Sequence, residues 1–284
     1  MEDDNGITEE AEAPNQNGQG PSAVSSMVRA FPWKLSSRRL DTSKIHGFDG
    51  EVTVLMNLLL RVPGHDDGFK AIAIVGGSGI GKTTLCKLIF SKPEIKKQFL
   101  PRIFVSIPAA HQPIEIVRSI LTLLGLGDEM ISSIESDHGL SGLVYTTYLQ
   151  LVGKRYLIVL DDSDSISTPN PWFEELKSSI TADEELSDKL AYGFPKGHGG
   201  TVIVASRNEE MAKKMVGGEN IHELHPRSDS ESCWLIFKDT VEEVRKPFNP
   251  TNGDALKKEI TRKCGGVPSA AKIIGKIMRE QLEQ

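Results

Sequence analysis

The chain has 284 residues, 38% of them hydrophobic, enough to bury one large domain or a medium one with a smaller companion. Its formal net charge of −6 and pI near 5.7 argue against a surface built to neutralise nucleic-acid phosphates, so nucleic acid is not an expected partner. Three widely spaced cysteines (Cys86, Cys233, Cys264), an acidic N-terminus and no apolar run near the ~18 residues of a membrane span predict a cytoplasmic protein with no transmembrane segment.

Residues 1–23 are acidic and rich in Gly, Asn, Gln and Pro, whereas residues 27–44 carry Arg29, Lys34, Arg38, Arg39 and Lys44. Neither part shows apolar periodicity, which predicts a disordered tail and linker over 1–44. Phe31 and Trp33 leave open a docking peptide or a membrane-surface patch there. Helical spacing then runs from Val52 to Leu60, and Ala71-Ile72-Ala73-Ile74-Val75 reads as a strand buried on both faces. Next come a helix around Thr84–Ser91, a strand Arg102–Ile107 and a helix Ile114–Leu124. Strands Tyr156–Leu160 and Thr201–Ala205 follow, with helical stretches expected between them around Trp172–Ile180 and Glu184–Leu190. The alternation predicts an α/β fold: a parallel sheet with right-handed crossovers and helices on both faces.

Beyond Ile221 only helices are predicted. Ser228-Asp229-Ser230-Glu231 has the form of a capping box ahead of a helix whose inner face carries Trp234, Leu235 and Phe237, and Pro247 and Pro250 end that unit. A second helix, Asp254–Lys263, stops at Gly265-Gly266, and Pro268 suits the start of a third. The expected division is an α/β domain over 45–222 and a small all-helical subdomain over 223–284.

Gly76-Gly77-Ser78-Gly79-Ile80-Gly81-Lys82-Thr83 satisfies G-x-x-x-x-G-K-[ST] in full, between a predicted strand and a predicted helix. Such a P-loop turns successive backbone N–H groups towards phosphate oxygens, and the following helix adds the positive end of its dipole. Lys82 supplies a point charge near the β/γ-phosphates and the Thr83 hydroxyl a Mg²⁺ ligand. A glycine-rich turn with a chance lysine is the alternative, and the full pattern in its strand–helix context weighs against it. Leu157-Ile158-Val159-Leu160-Asp161-Asp162 reads as a Walker B strand, with Asp161 holding Mg²⁺ through water and Asp162 orienting or deprotonating an attacking water. Arg207, just after a strand, emerges at the sheet edge where open α/β folds bind ligands and is a candidate γ-phosphate sensor. Cys86, Cys233, Trp234, Phe237, His222 and His225 are read as structural.

Together these blocks resemble the NB-ARC module of plant NLR disease-resistance proteins, of the STAND class of P-loop NTPases. Residues 76–84, ending in Thr84, are similar to its P-loop, 99–106 to its next block, 154–162 to kinase-2 and 200–208 to the strand presenting the sensor arginine. Trp234-Leu235-Ile236-Phe237 resembles its Trp-x-x-Phe helix, and Cys264-Gly265-Gly266-Val267-Pro268-Ser269-Ala270 its Gly-Leu-Pro-Leu-Ala turn. The resemblance implies ADP or ATP with Mg²⁺ as ligands and Pro268 against the adenine. It also implies a nucleotide-dependent switch in plant defence, a slow ATPase at most, with other NLR or defence signalling proteins as partners. Gly47-Phe48-Asp49 departs from the usual Gly-Arg-Glu, and the tryptophan usual after the paired aspartates is absent from Ser163-Asp164-Ser165. No counterpart of the winged-helix subdomain, its Met-His-Asp latch or leucine-rich repeats follows, so a short form is expected. The alternative is a non-switching relative that holds ADP structurally and acts as a partner or adaptor of full-length receptors. A small-molecule kinase would need an acceptor-site motif that the sequence lacks.

Overall fold

A computed structural model describes residues 41–61, 68–107, 112–162, 171–178, 188–243, 248, 250 and 252–283. The tail expected over 1–40 lies outside them, as do Pro247 and most of the helical stretch expected over 184–190.

Five parallel strands, β1 (Lys70–Gly76), β2 (Arg102–Ile107), β3 (Leu157–Asp162), β4 (Thr201–Ser206) and β5 (Ile221–Leu224), lie in the order β2-β3-β4-β1-β5. Strand side chains alternate between two cores, as the period of two requires. Ala71, Ala73, Val75, Val105, Ile158, Leu160, Val202 and Val204 face one side with α4 (Pro113–Leu124), α5 (Asp128–Leu151) and α6 (Glu209–Val216). Ile72, Ile74, Phe104, Val159, Ile203 and Ala205 face the other, with α1 (Asp49–Leu60), α2 (Lys82–Ser91) and α3 (Pro93–Gln98). The near-continuous apolar runs of β1 and β4 are thus a consequence of burial on both faces. Chain order reverses beside β1, so the crevice at the carboxyl ends of β1, β3 and β4 is the natural ligand position.

A third core belongs to α7 (Ser230–Glu242), α8 (Gly253–Cys264) and α9 (Pro268–Glu283). The face of α7 turned inwards is Cys233, Ile236, Phe237 and Val241, with Trp234 packed partly buried beside it. The expected Leu235 is only half-buried and is not part of that core. The cap also differs by one residue: Asp229 accepts from the N–H of Ser232 at 2.6 Å, so the helix begins at Ser230 and the proposed box on Ser228 is not used.

Three elements depart from the sequence expectation. The 24-residue α5 was not anticipated, because residues 128–138 carry few apolar side chains and Gly139 (φ 62°, ψ −151°) breaks the helix geometry, so no single amphipathic stripe runs through it. Strand β5 carries only four residues and pairs solely with β1, too short for period-two alternation to register. Between β3 and β4, the described residues form 3₁₀ turns at Pro171–Phe173 and Leu190–Gly193 instead of the expected helices. Trp172, Phe173, Leu190 and Phe194 plug the core from these turns, so their apolar character reflects local burial rather than a helix face. Among the described residues no helix is long and apolar enough to cross a membrane.

Candidate nucleotide site

Strand β1 ends at Gly76 and α2 begins at Lys82, so Gly76–Gly81 forms a loop over the carboxyl edge of the sheet. Gly79 (φ 71°) and Gly81 (φ 109°) adopt conformations that side chains resist, and both are also closely approached. A Cβ on Gly79 would lie 1.9 Å from Ser269 Oγ, and one on Gly81 2.6 Å from the Phe48 ring. Gly77 and Ser78 are exposed, and Ile80 buries its side chain in the core, leaving its backbone to the loop.

Lys82 is 7% exposed and its ammonium donates to the carbonyls of Gly76 (2.7 Å) and Gly77 (3.0 Å). Burial, reinforced by the charge of Arg207, pulls this ammonium below the usual lysine range, while Asp161 and Asp162 act in the opposite sense. An anion in the loop would therefore relieve a cation held among like charge and low dielectric. The Thr83 hydroxyl donates to Asp161 Oδ1 at 3.0 Å, which brings the two expected metal ligands together. This hydroxyl–carboxylate pair would fit Mg²⁺, a cation that takes few protein ligands and keeps water and phosphate oxygens around it.

Asp161 and Asp162 lie inside β3, each 1% exposed, rather than beyond the strand end at Leu160. Asp162 accepts from the Ser206 hydroxyl at 3.0 Å, and Ser206 Oγ in turn accepts from the Asn208 N–H at 3.1 Å. Asn208 caps α6 by accepting from the Met211 N–H. This chain of bonds fixes the turn from which Arg207 projects.

A cleft of about 310 Å³ is lined by Gly79, Gly81, Lys82, Thr83, Thr84, Arg207 and, from the helical lobe, Pro268, Ser269 and Lys272. The loop, Arg207 and Pro268, far apart in sequence, thus line one cleft. The lobe is held there by the Ser269 N–H, which donates to the Gly79 carbonyl at 3.2 Å.

Two residues the sequence reading did not single out as site residues pack behind the loop. Phe48 packs its ring against Gly81, and the Arg227 guanidinium lies 4.1 Å from the centroid of that ring while donating to the Gly47 carbonyl. Arg227 also donates its backbone N–H to Gly266 at 2.9 Å, and His46 bonds Asp239 of α7 at 2.7 Å. The guanidinium that residue 48 does not supply is therefore present against it, delivered from a segment 179 positions away that no local pattern could reveal. Replacing Arg227 by methionine is expected to cost about 1–3 kcal/mol of stability through loss of the cation–π contact and the charged hydrogen bond. The buried Nε, which has no partner, moderates that loss. Chemical denaturation of the variant tests it, and an unchanged midpoint would show the contact contributes nothing.

A doubly covered parallel sheet with a P-loop at its reversal point and a Thr–Asp pair beside it defines the class of P-loop nucleotide-binding proteins. The NB-ARC domain family model matches residues 49–175. Probable disease resistance protein At4g19060 of Arabidopsis thaliana is 35% identical, with 85% of this chain and 74% of that protein aligned. Probable disease resistance protein At5g45490 of the same plant is 32% identical over 83% and 75%. The chain belongs to this NB-ARC family of plant NLR-type disease-resistance proteins. Two solved structures share the fold at low identity. The Aeropyrum pernix ORC2 protein has a TM-score of 0.53 at 18% identity, covering 84% of this chain and 64% of that one. Cdc6p from Pyrobaculum aerophilum has 0.52 at 16%, covering 88% and 66%.

Proposed function

We propose that this protein is a cytoplasmic, adenine-nucleotide-dependent signalling switch in plant defence. The observation that carries this reading is that the phosphate loop is touched directly by the helical lobe, through Ser269 on Gly79, and by the Phe48–Arg227 pair on Gly81. A ligand seated in the loop thereby changes the same contacts that set the position of the lobe, which is the differential interaction a two-state switch requires. The names of the relatives supply the biological setting.

In this reading Gly76–Gly81 present backbone N–H groups, Lys82 and Thr84 hold phosphate oxygens, Thr83 and Asp161 hold Mg²⁺, and Pro268 packs on the adenine. Mg²⁺ offsets phosphate charge when bound. Arg207 senses the γ-phosphate. Asp162 was expected to activate water; its buried bond to Ser206 suits a further duty, anchoring the turn that aims Arg207, and any hydrolysis is slow. Other NLR or defence signalling proteins are the proposed partners.

The test is to denature the purified protein, identify the released nucleotide by chromatography, and then measure exchange. Adenine nucleotide is expected, and bound ADP should leave in favour of excess ATP. A protein that releases no nucleotide and binds none contradicts the site; one whose ADP cannot be displaced contradicts the switch.

A further inference from the structure

We infer that Lys272 is a direct ligand of the nucleotide's polyphosphate, contributed by the helical lobe, so that the ligand itself bridges α2 and α9. This rests on the nucleotide reading above and adds a residue and a coupling to it. Pro268 opens α9 and Ser269 is pinned to the phosphate loop by its N–H bond to Gly79, which fixes the first turn of the helix in the cleft. Lys272 lies four residues after Pro268, on the same helix face, and it too lines the cleft that holds Lys82, Thr83 and Arg207.

Several cations outside this cleft are paired with carboxylates. Lys213, Lys214, Lys238, Lys257, Lys263 and Arg279 each meet a carboxylate within 4 Å. Among the described residues neither Lys272 nor Arg207 has a hydrogen bond or ion pair, and Arg207 disfavours the charged form of Lys82. The two carboxylates nearby, Asp161 and Asp162, are engaged at the sheet end by Thr83 and Ser206. Lys82, Arg207 and Lys272 line one concave surface, where a polyanion would meet all three, and a chain of phosphates is long enough to meet cations from two helices. Lys82 and Lys272 then contact one ligand from two helices, and loss of that ligand removes a tie between α9 and the loop.

The experiment is calorimetric titration of ADP and ATP, with Mg²⁺, into the full chain and into Lys272→Gln, Lys272→Arg and Lys276→Gln. Lys276 is an exposed cation on the same helix that does not line the cleft, so it controls for the general field of the lobe. Lys272→Gln is expected to weaken both nucleotides roughly tenfold. Lys272→Arg should stay near the original affinity, Lys276→Gln should match it, and none should change the melting temperature without nucleotide. Original affinity in Lys272→Gln, or an equal loss in Lys276→Gln, overturns the inference while leaving the nucleotide reading intact. Failure of the unaltered chain to bind either nucleotide overturns both.

Discussion

Lys82→Ala is expected to weaken ADP and ATP binding by at least about a hundredfold, equivalent to ~2.7 kcal/mol, while the sheet stays folded. Charged hydrogen bonds are worth ~1.5–3 kcal/mol each, and Lys82 as a residue is 7% exposed, so screening by water is reduced. Its effect on folding should be small for two opposed reasons. The carbonyls of Gly76 and Gly77 lose a donor, but Gly77 is exposed and water can replace it. At the same time the fold no longer holds an ammonium disfavoured by burial and by Arg207. A net change within about 1 kcal/mol moves the melting temperature by only ~2–4 °C in a chain of this size. Calorimetry of binding beside thermal unfolding separates the two effects, and undiminished ADP affinity in a folded variant would refute the site.

The largest loss of stability is expected from Phe237→Ala, about 3–5 kcal/mol. Phe237 is fully buried, stacks on Trp234 with centroids 5.4 Å apart and meets Phe248 edge-on at 5.9 Å. Its carbonyl also faces Gly275, where a Cβ would lie 3.0 Å away, so α7 and α9 approach too closely for other side chains to refill the void. Among the described residues the helical lobe has seven buried apolar residues in its core against thirty in the larger core of the sheet, so one lost aromatic removes a large share of what holds it. Limited proteolysis should cut residues 225–284 in the variant while the sheet resists. Nucleotide affinity should fall with it, because Pro268, Ser269 and Lys272 leave the cleft. A lobe as resistant as the original would contradict this account.

The P-loop, the Asp161–Asp162 pair and Arg207 were legible in the sequence because each depends on a short stretch of backbone. A loop between a strand and a helix must use glycines where φ is positive, and a residue just past a buried parallel strand must emerge at the sheet's edge. The same holds for the strands β1–β4 and for the starts of α8 and α9, where burial on both faces or a Gly–Pro boundary leaves a local mark. In contrast, β5 pairs with β1 only through the completed sheet, and α5 takes its path around Gly139 from packing rather than periodicity.

What the sequence determined by itself was the chemistry: which backbone makes a phosphate cradle, and which lysine, hydroxyl and carboxylate types stand beside it. Only the tertiary structure decided the enclosure. Phe48 reaches Gly81, Arg227 reaches Phe48, and Lys272 joins Lys82 around one cleft, because contacts between distant segments are set by how two lobes pack. Local propensity carries no information about which surfaces will meet, since burial energy is non-directional and is satisfied only in the assembled core.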